Sequence, residues 1–301
     1  MGGLRVRLLA VELGTSPPTL SVTGTASHIV ADMSNPISRT AYYTLSVRAW
    51  DAAQPKPMCG DSFAAAFMNA EAEQIWEQFS GFYRANASNA ARHAIIDEYL
   101  STELAASPKA RVIVIGAGFD TRAFRLKGGQ WVEVDEAAIL TFKEASLPAA
   151  TAPNPLTRVS ISFSDESLAD CLAPFAGTEP VHVVIEGVLM YLTQPQRREL
   201  LETLRKLFSR HFVYCDLMRQ SFFEHYSQDL HDQIVSIGAA FTDMGETPER
   251  VFIDAGYRPL TRASIPLHAA KLGGFGIPPF VIRWFLGTLR RGYCIWKFGY
   301  P

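Results

Sequence analysis

The chain has 301 residues, 48% of them hydrophobic and 19% charged, enough apolar side chain for a sizeable core in one large domain or two. Its formal charge of −2, with no run of like charges and no basic stripe interleaved with aromatics, points away from nucleic acid or another polyanion as partner. None of Cys59, Cys171, Cys215 and Cys294 forms a CxxC pair or stands at metal spacing with a histidine, which predicts reduced thiols and no metal site.

The apolar run of the first twelve residues is cut by Arg7 and closed by Glu12, too short for a secretory signal. Val6 stands where a myristoylation motif needs Ser or Thr. No segment approaches the roughly 20 apolar residues of a membrane span, so a cytoplasmic location without a membrane partner is expected. Residues 1–35 lack periodicity and read as an extension, either a leader or a strap. Residues 36–109 read as a helical cap, with helices over Ala41–Trp50 and Phe82–Leu100 and a further helix over Phe63–Met68 capped by Asp61-Ser62.

From Arg111 the elements alternate, which predicts an α/β domain over residues 110–301. Strands are expected at Arg111–Ile115, Gln130–Val134, Arg158–Phe163, Val181–Ile185 and His211–Asp216, with a helix over Ile139–Ala145. Thr193 and Gln196 form a capping box ahead of a helix that puts Leu200, Leu201, Leu204, Leu207 and Phe208 on one face. Alternation then stops: about 218–245 reads as a helical insertion, Thr247-Pro248 opens a helix that Gly256 ends, and Gly292–Phe298 reads as a last strand of a mixed sheet. His182, mid-strand, reads as a buried hydrogen-bonded histidine, and His225 with His231 as a solvated helix face.

The stretch Ile115-Gly116-Ala117-Gly118-Phe119-Asp120-Thr121 follows the first strand. Glycines there allow a tight strand-to-helix turn and close approach of a ligand. A dinucleotide site usually has a third glycine, where Thr121 stands. Asp120 at the mouth would repel a pyrophosphate and suits a cationic ligand such as S-adenosyl-L-methionine. Asp135, at the end of the second strand, is placed to accept hydrogen bonds from ribose hydroxyls. The expectation is a pocket whose strand-end acids surround one cationic ligand.

Together with Ile37-Ser38-Arg39-Thr40, Arg92-His93-Ala94-Ile95-Ile96-Asp97, Glu133-Val134-Asp135-Glu136 and Glu186-Gly187-Val188-Leu189-Met190-Tyr191, this turn resembles the leucine carboxyl methyltransferase family. The resemblance covers about Ser38 to the C-terminus. It implies a class I methyltransferase, Rossmann-like fold with a mostly parallel seven-stranded sheet, and S-adenosyl-L-methionine as cofactor. It implies that Arg39 and Arg92 bind the carboxylate of the cofactor or of the acceptor. Gly116, Ala117 and Gly118, flanked by Asp120, would cradle the methionine moiety, and Asp135 with Glu136 would hold the ribose. Glu186 would meet the cofactor's amino group, and Tyr191 would line the acceptor side. The family commonly has an acid where Ser162 precedes Phe163, so the adenine contact is expected to be uncharged or taken by Asp165.

The resemblance implies O-methylation, in many members of secondary metabolites. No base motif stands near the expected site, which favours a carboxylate or acidic hydroxyl of a small molecule as acceptor. Alternatives are a protein C-terminal carboxylate as acceptor, a nicotinamide-dependent oxidoreductase, and a non-catalytic methyltransferase-like domain.

Overall fold

A computed structural model describes residues 36–242 and 244–301, with side chains from residue 39 on. The extension expected over residues 1–35 lies outside the described residues. Three helices come first: α1 (Pro36–Ala52), α2 (Ala70–Phe79) and α3 (Tyr83–Ala106). Strands and helices then alternate: β1 (Arg111–Ile115), α4 (Arg122–Arg125), β2 (Gln130–Asp135), α5 (Ala137–Ser146), β3 (Leu156–Ser160), α6 (Leu168–Leu172), β4 (Val181–Ile185), α7 (Gln194–Leu207) and β5 (His211–Met218). The remainder is α8 (Gln220–Tyr226), α9 (Gln228–Ser236), α10 (Arg250–Asp254), β6 (Arg258–Ser264), α11 (Ile265–Lys271), α12 (Pro279–Phe285), α13 (Gly287–Gly292) and β7 (Tyr293–Tyr300).

The strands form one sheet of seven in the order β3-β2-β1-β4-β5-β7-β6. β1 to β5 pair in parallel, and β7 runs antiparallel to both neighbours. The reversal of order between β1 and β4 is where such sheets bind ligands, beyond the carboxyl ends of the strands. β1 is apolar on both faces because both are covered. Val112 and Val114 pack in the core that contains Ile95 and Leu100 of α3 and Ile265 of α11. Ile113 and Ile115 pack in the opposite core, with Leu201 and Leu204 of α7 and Phe252 of α10. The first helices build a third cluster in which Tyr42 stacks on Phe119 and Tyr43 on Phe79.

Sequence and structure differ mainly at the sheet edges. β3 spans Leu156–Ser160, so Ser162 and Phe163 sit in the loop after it. β6 was not expected at all. Both are edge strands, and β6 leaves most of its side chains in solvent and carries Pro259, so neither shows a buried alternation. The helix expected to open at Thr247-Pro248 begins at Arg250. At α7 the box forms as written, with Gln196 Oε1 accepting the Thr193 N–H at 2.8 Å.

Candidate active site

The turn after β1 is tight. Gly116 and Gly118 take φ of +65° and +46°, and the N–H groups of Gly116 and Ala117 both donate to Val134 O. A Cβ on Gly116 would lie 2.5 Å from Cγ2 of Val188, so this glycine is required by packing within the chain itself. At the end of β2, Asp135 is buried and accepts N–H bonds from Gly118 at 2.6 Å and Glu136 at 2.7 Å. No ion-pair partner for it stands among the described residues, and burial raises its pKa to about 6. Past β3, Ser162 donates its hydroxyl to Asp165 at 2.8 Å, and the ring of Phe163 is exposed.

The other acids behave differently. Asp120 does not stand free at a mouth. It is buried against the guanidinium of Arg122, and that pairing outweighs its desolvation and lowers its pKa to about 2. Glu186 is not free either: it accepts from Arg122 Nη2 at 2.7 Å and Arg92 Nε at 3.1 Å, with His93 Nδ1 at 3.1 Å. Despite burial, these neighbours hold it well below the usual carboxylate range.

Arg122 stands at the centre, fully buried, bonded to Asp97 at 2.6 Å as well as to Asp120 and Glu186. Arg125 joins Asp97 and Asp61, and Arg48 joins Asp61 at 2.6 Å. Arg92 adds Asp216 at 3.2 Å. Four guanidiniums therefore face five carboxylates, with the His93 ring among them and without counting Asp135. This cluster ties α1 and α3 to the carboxyl ends of β1, β4 and β5.

On the other side of Arg92 lies a cavity of about 290 Å³, with Met190, Tyr191, Met218, Phe241, Phe275 and Tyr293 in its wall. Tyr191 meets Phe241 edge-on at 5.4 Å, and burial pushes its phenol up to about 12. Neither Asp135 nor Glu186 is in the wall of this cavity. Arg39 is absent from its wall too and pairs with Glu71 at 3.4 Å. A larger hollow of about 680 Å³ between α7 and α10 holds none of the expected site residues.

Two residues were missed in the sequence, Tyr293 in the cavity wall and Asp216 behind it. Asp216 accepts from the Gly187 N–H at 2.7 Å and from the Tyr293 hydroxyl at 2.8 Å, and Arg92 Nη1 donates to that hydroxyl at 3.1 Å. Asp216 had a signal: like Glu186 it closes an apolar strand run. Tyr293, from the last strand, had none. His182 is buried with Nδ1 2.8 Å from the Tyr214 hydroxyl, and its pKa is lowered to about 4 by desolvation. His231 departs from the solvated face expected of it: its ring packs on Phe223 and Phe241, and Nε2 accepts the Phe241 N–H at 3.1 Å.

The model of the family described as leucine carboxyl methyltransferase matches residues 41–205. The chain belongs to this family. A relative from Parafrankia, provisionally named an S-adenosyl-L-methionine-dependent methyltransferase, is 31% identical over 57% of this chain and 59% of its own. A Mycobacteroides abscessus protein of the same provisional name is 26% identical over 58% of this chain and 64% of its own. The chain thus spans less than two thirds of the length of these relatives. A crystal structure of a provisionally named methyltransferase from Thermobifida fusca is 15% identical with a TM-score of 0.57, covering 89% of this family member and 96% of that chain. A DUF574 family protein of Streptomyces avermitilis is 10% identical with a TM-score of 0.55, over 88% and 100% of the two chains. Both share the fold, which is the class I, Rossmann-like α/β fold.

Proposed function

We propose that this family member is an S-adenosyl-L-methionine-dependent O-methyltransferase acting on a small, largely apolar acceptor. The observation that carries the acceptor class is the aromatic and methionine-walled cavity of about 290 Å³ beside Gly187 and Tyr191, a volume at the small-molecule scale. One observation supports the cofactor. Asp135 is a buried carboxylate with no ion-pair partner among the described residues, at the position where the fold presents an acid to a ribose. Gly116, Ala117, Gly118 and Glu136 would complete the cradle, with Ser162 and Phe163 at the adenine edge. Glu186, Asp120 and Arg92 would act through the balance of the cluster rather than as open ligands. Arg39 would reach a carboxylate only after leaving Glu71.

The cofactor supplies a methyl group on a sulfonium, so the chain has to orient the acceptor and manage one proton. Orientation of the acceptor against the methyl group can contribute on the order of 7–11 kcal/mol. Tyr191 and Phe241 would position the acceptor. Tyr293, bonded to Asp216, supports a hydroxyl acceptor: its oxygen can take the acceptor's proton as its own passes to the carboxylate. A carboxylate acceptor is the second reading and needs no such path.

Calorimetry with S-adenosyl-L-methionine and S-adenosyl-L-homocysteine tests the cofactor; heat with neither leaves a non-catalytic domain. Mass spectrometry of cell extract incubated with methyl-labelled cofactor tests the acceptor, a new ether or ester being the expected product. Methylation confined to a protein C-terminus would replace the small-molecule reading.

A further inference from the structure

The whole-chain charge of −2 conceals an asymmetry. The last acid is Asp254; residues 255–301 carry Arg258, Arg262, Lys271, Arg283, Arg290, Arg291 and Lys297 and no carboxylate side chain. Within this stretch α12 is anchored by the buried Ile282 and projects Phe280, Trp284 and Phe285 outward, 61%, 72% and 76% exposed. Leu272, just after α11, is exposed as well. Arg283 lies over the Trp284 ring, its Cζ 5.5 Å from the ring centroid, and Arg291 is exposed on α13. Three exposed aromatics within six residues, flanked by basic side chains, are not the scattered apolar residues of an ordinary surface.

We propose that α12 and α13 form a docking surface for an anionic lipid bilayer. Charge decides among the occupants. A second copy of the same patch would set arginine against arginine across a two-fold axis. The aromatics stand out from a short helix instead of lining a groove, so they offer little to a peptide and can enter the boundary between headgroups and acyl chains. Arginine and lysine around them meet the negative surface potential of an anionic leaflet. Among the described residues no helix is long and apolar enough to cross a membrane, and a peripheral surface needs none. The loop that leads into α12 also supplies Phe275 and Ile277 to the cavity wall, so docking would bring that wall close to the lipid.

The test is sedimentation of the full chain with vesicles of phosphatidylcholine alone and of phosphatidylcholine with 30% phosphatidylglycerol, a composition on the order used to mimic anionic leaflets. Binding is expected with the anionic vesicles, with a blue shift of tryptophan emission, and is expected to weaken several-fold when salt is raised to about 0.5 M. The double variant Trp284→Ser, Phe285→Ser should lose about tenfold in partitioning and the blue shift while keeping its far-ultraviolet circular dichroism, since both side chains are exposed. Arg283→Gln with Arg291→Gln should reduce binding without changing the emission of the bound fraction. No binding to anionic vesicles overturns the proposal. So does binding that ignores the aromatic substitutions, which would mark a simple basic patch. A dimer that the same substitutions disperse, with no vesicle binding, would assign the surface to a second copy. None of these readouts depends on methyl transfer.

Discussion

Arg92 separates two regions built on opposite principles. Behind it, Arg122 and its neighbours fill the space between α3 and the strand ends with charge, nearly every group bonded to another. In front of it, the cavity wall is richer in aromatic and aliphatic side chains, with Met190 and Met218, and its polar groups, such as Ser88 and Asn89, are interspersed among them. The charged side specifies one arrangement, because a guanidinium buried among carboxylates tolerates no shift that leaves a charge unpaired. The apolar side can be reshaped one side chain at a time. Position is thus set by the cluster and acceptor choice by the cavity.

The sharpest way to break that division is Arg122→Met. It strands Asp97, Asp120 and Glu186 without their shared partner and should cost about 3–5 kcal/mol in denaturant unfolding. A loss below about 1 kcal/mol would mean that the cluster does not anchor the cap. Asp135→Ala comes next. Two charge-assisted hydrogen bonds to the ribose would go, about 3 kcal/mol or roughly 100-fold in affinity for S-adenosyl-L-homocysteine. Unchanged calorimetric affinity would remove Asp135 from the cofactor site. Tyr293→Phe should lower kcat by about 10²-fold with little change in KM if the acceptor is a hydroxyl. An unaffected kcat would favour a carboxylate. Phe241→Ala, on the apolar side, should raise acceptor KM about tenfold and leave cofactor affinity as it was.

The smallest effect is in pH, and its sign differs between the two kinds of acid. Asp135 has a folded pKa of about 6 against an ordinary 3.8, so between these values the native state holds a proton that the unfolded chain has lost. Its contribution to stability therefore falls as pH rises from about 4 to 6. Asp120, lowered to about 2, contributes stability that is present above 3.8 and lost as pH drops towards 2. Cofactor affinity should weaken as pH falls below 6, where the Asp135 carboxylate becomes protonated and accepts less well. Asp135→Asn should flatten the pH 4–6 component of unfolding titrations, and a wild-type profile in that variant would assign the titration to another group.

The parallel strands, the glycine turn and the acids at strand ends were legible because each is local. A run such as Val112–Ile115 reports burial on two faces, and two glycines followed by an acid some twenty residues on report a βαβ unit. The edge strands β3 and β6 were less so, because half-exposed residues carry no period. What tertiary structure alone decided is which acids remain available. Arg92 reaches Glu186, Asp216 and Tyr293 across 94, 124 and 201 residues, and Arg122 reaches Glu186 across 64. Local pattern can place a carboxylate at the end of a strand. Whether its charge is already neutralised depends on a guanidinium from a distant helix, because Coulomb and hydrogen-bond partners are chosen in space and not along the chain. That is why Asp135 and Glu186 looked alike in sequence, yet Glu186 is held by Arg92 and Arg122 while Asp135 has no ion-pair partner among the described residues; Asp120 finds its partner, Arg122, only two residues on.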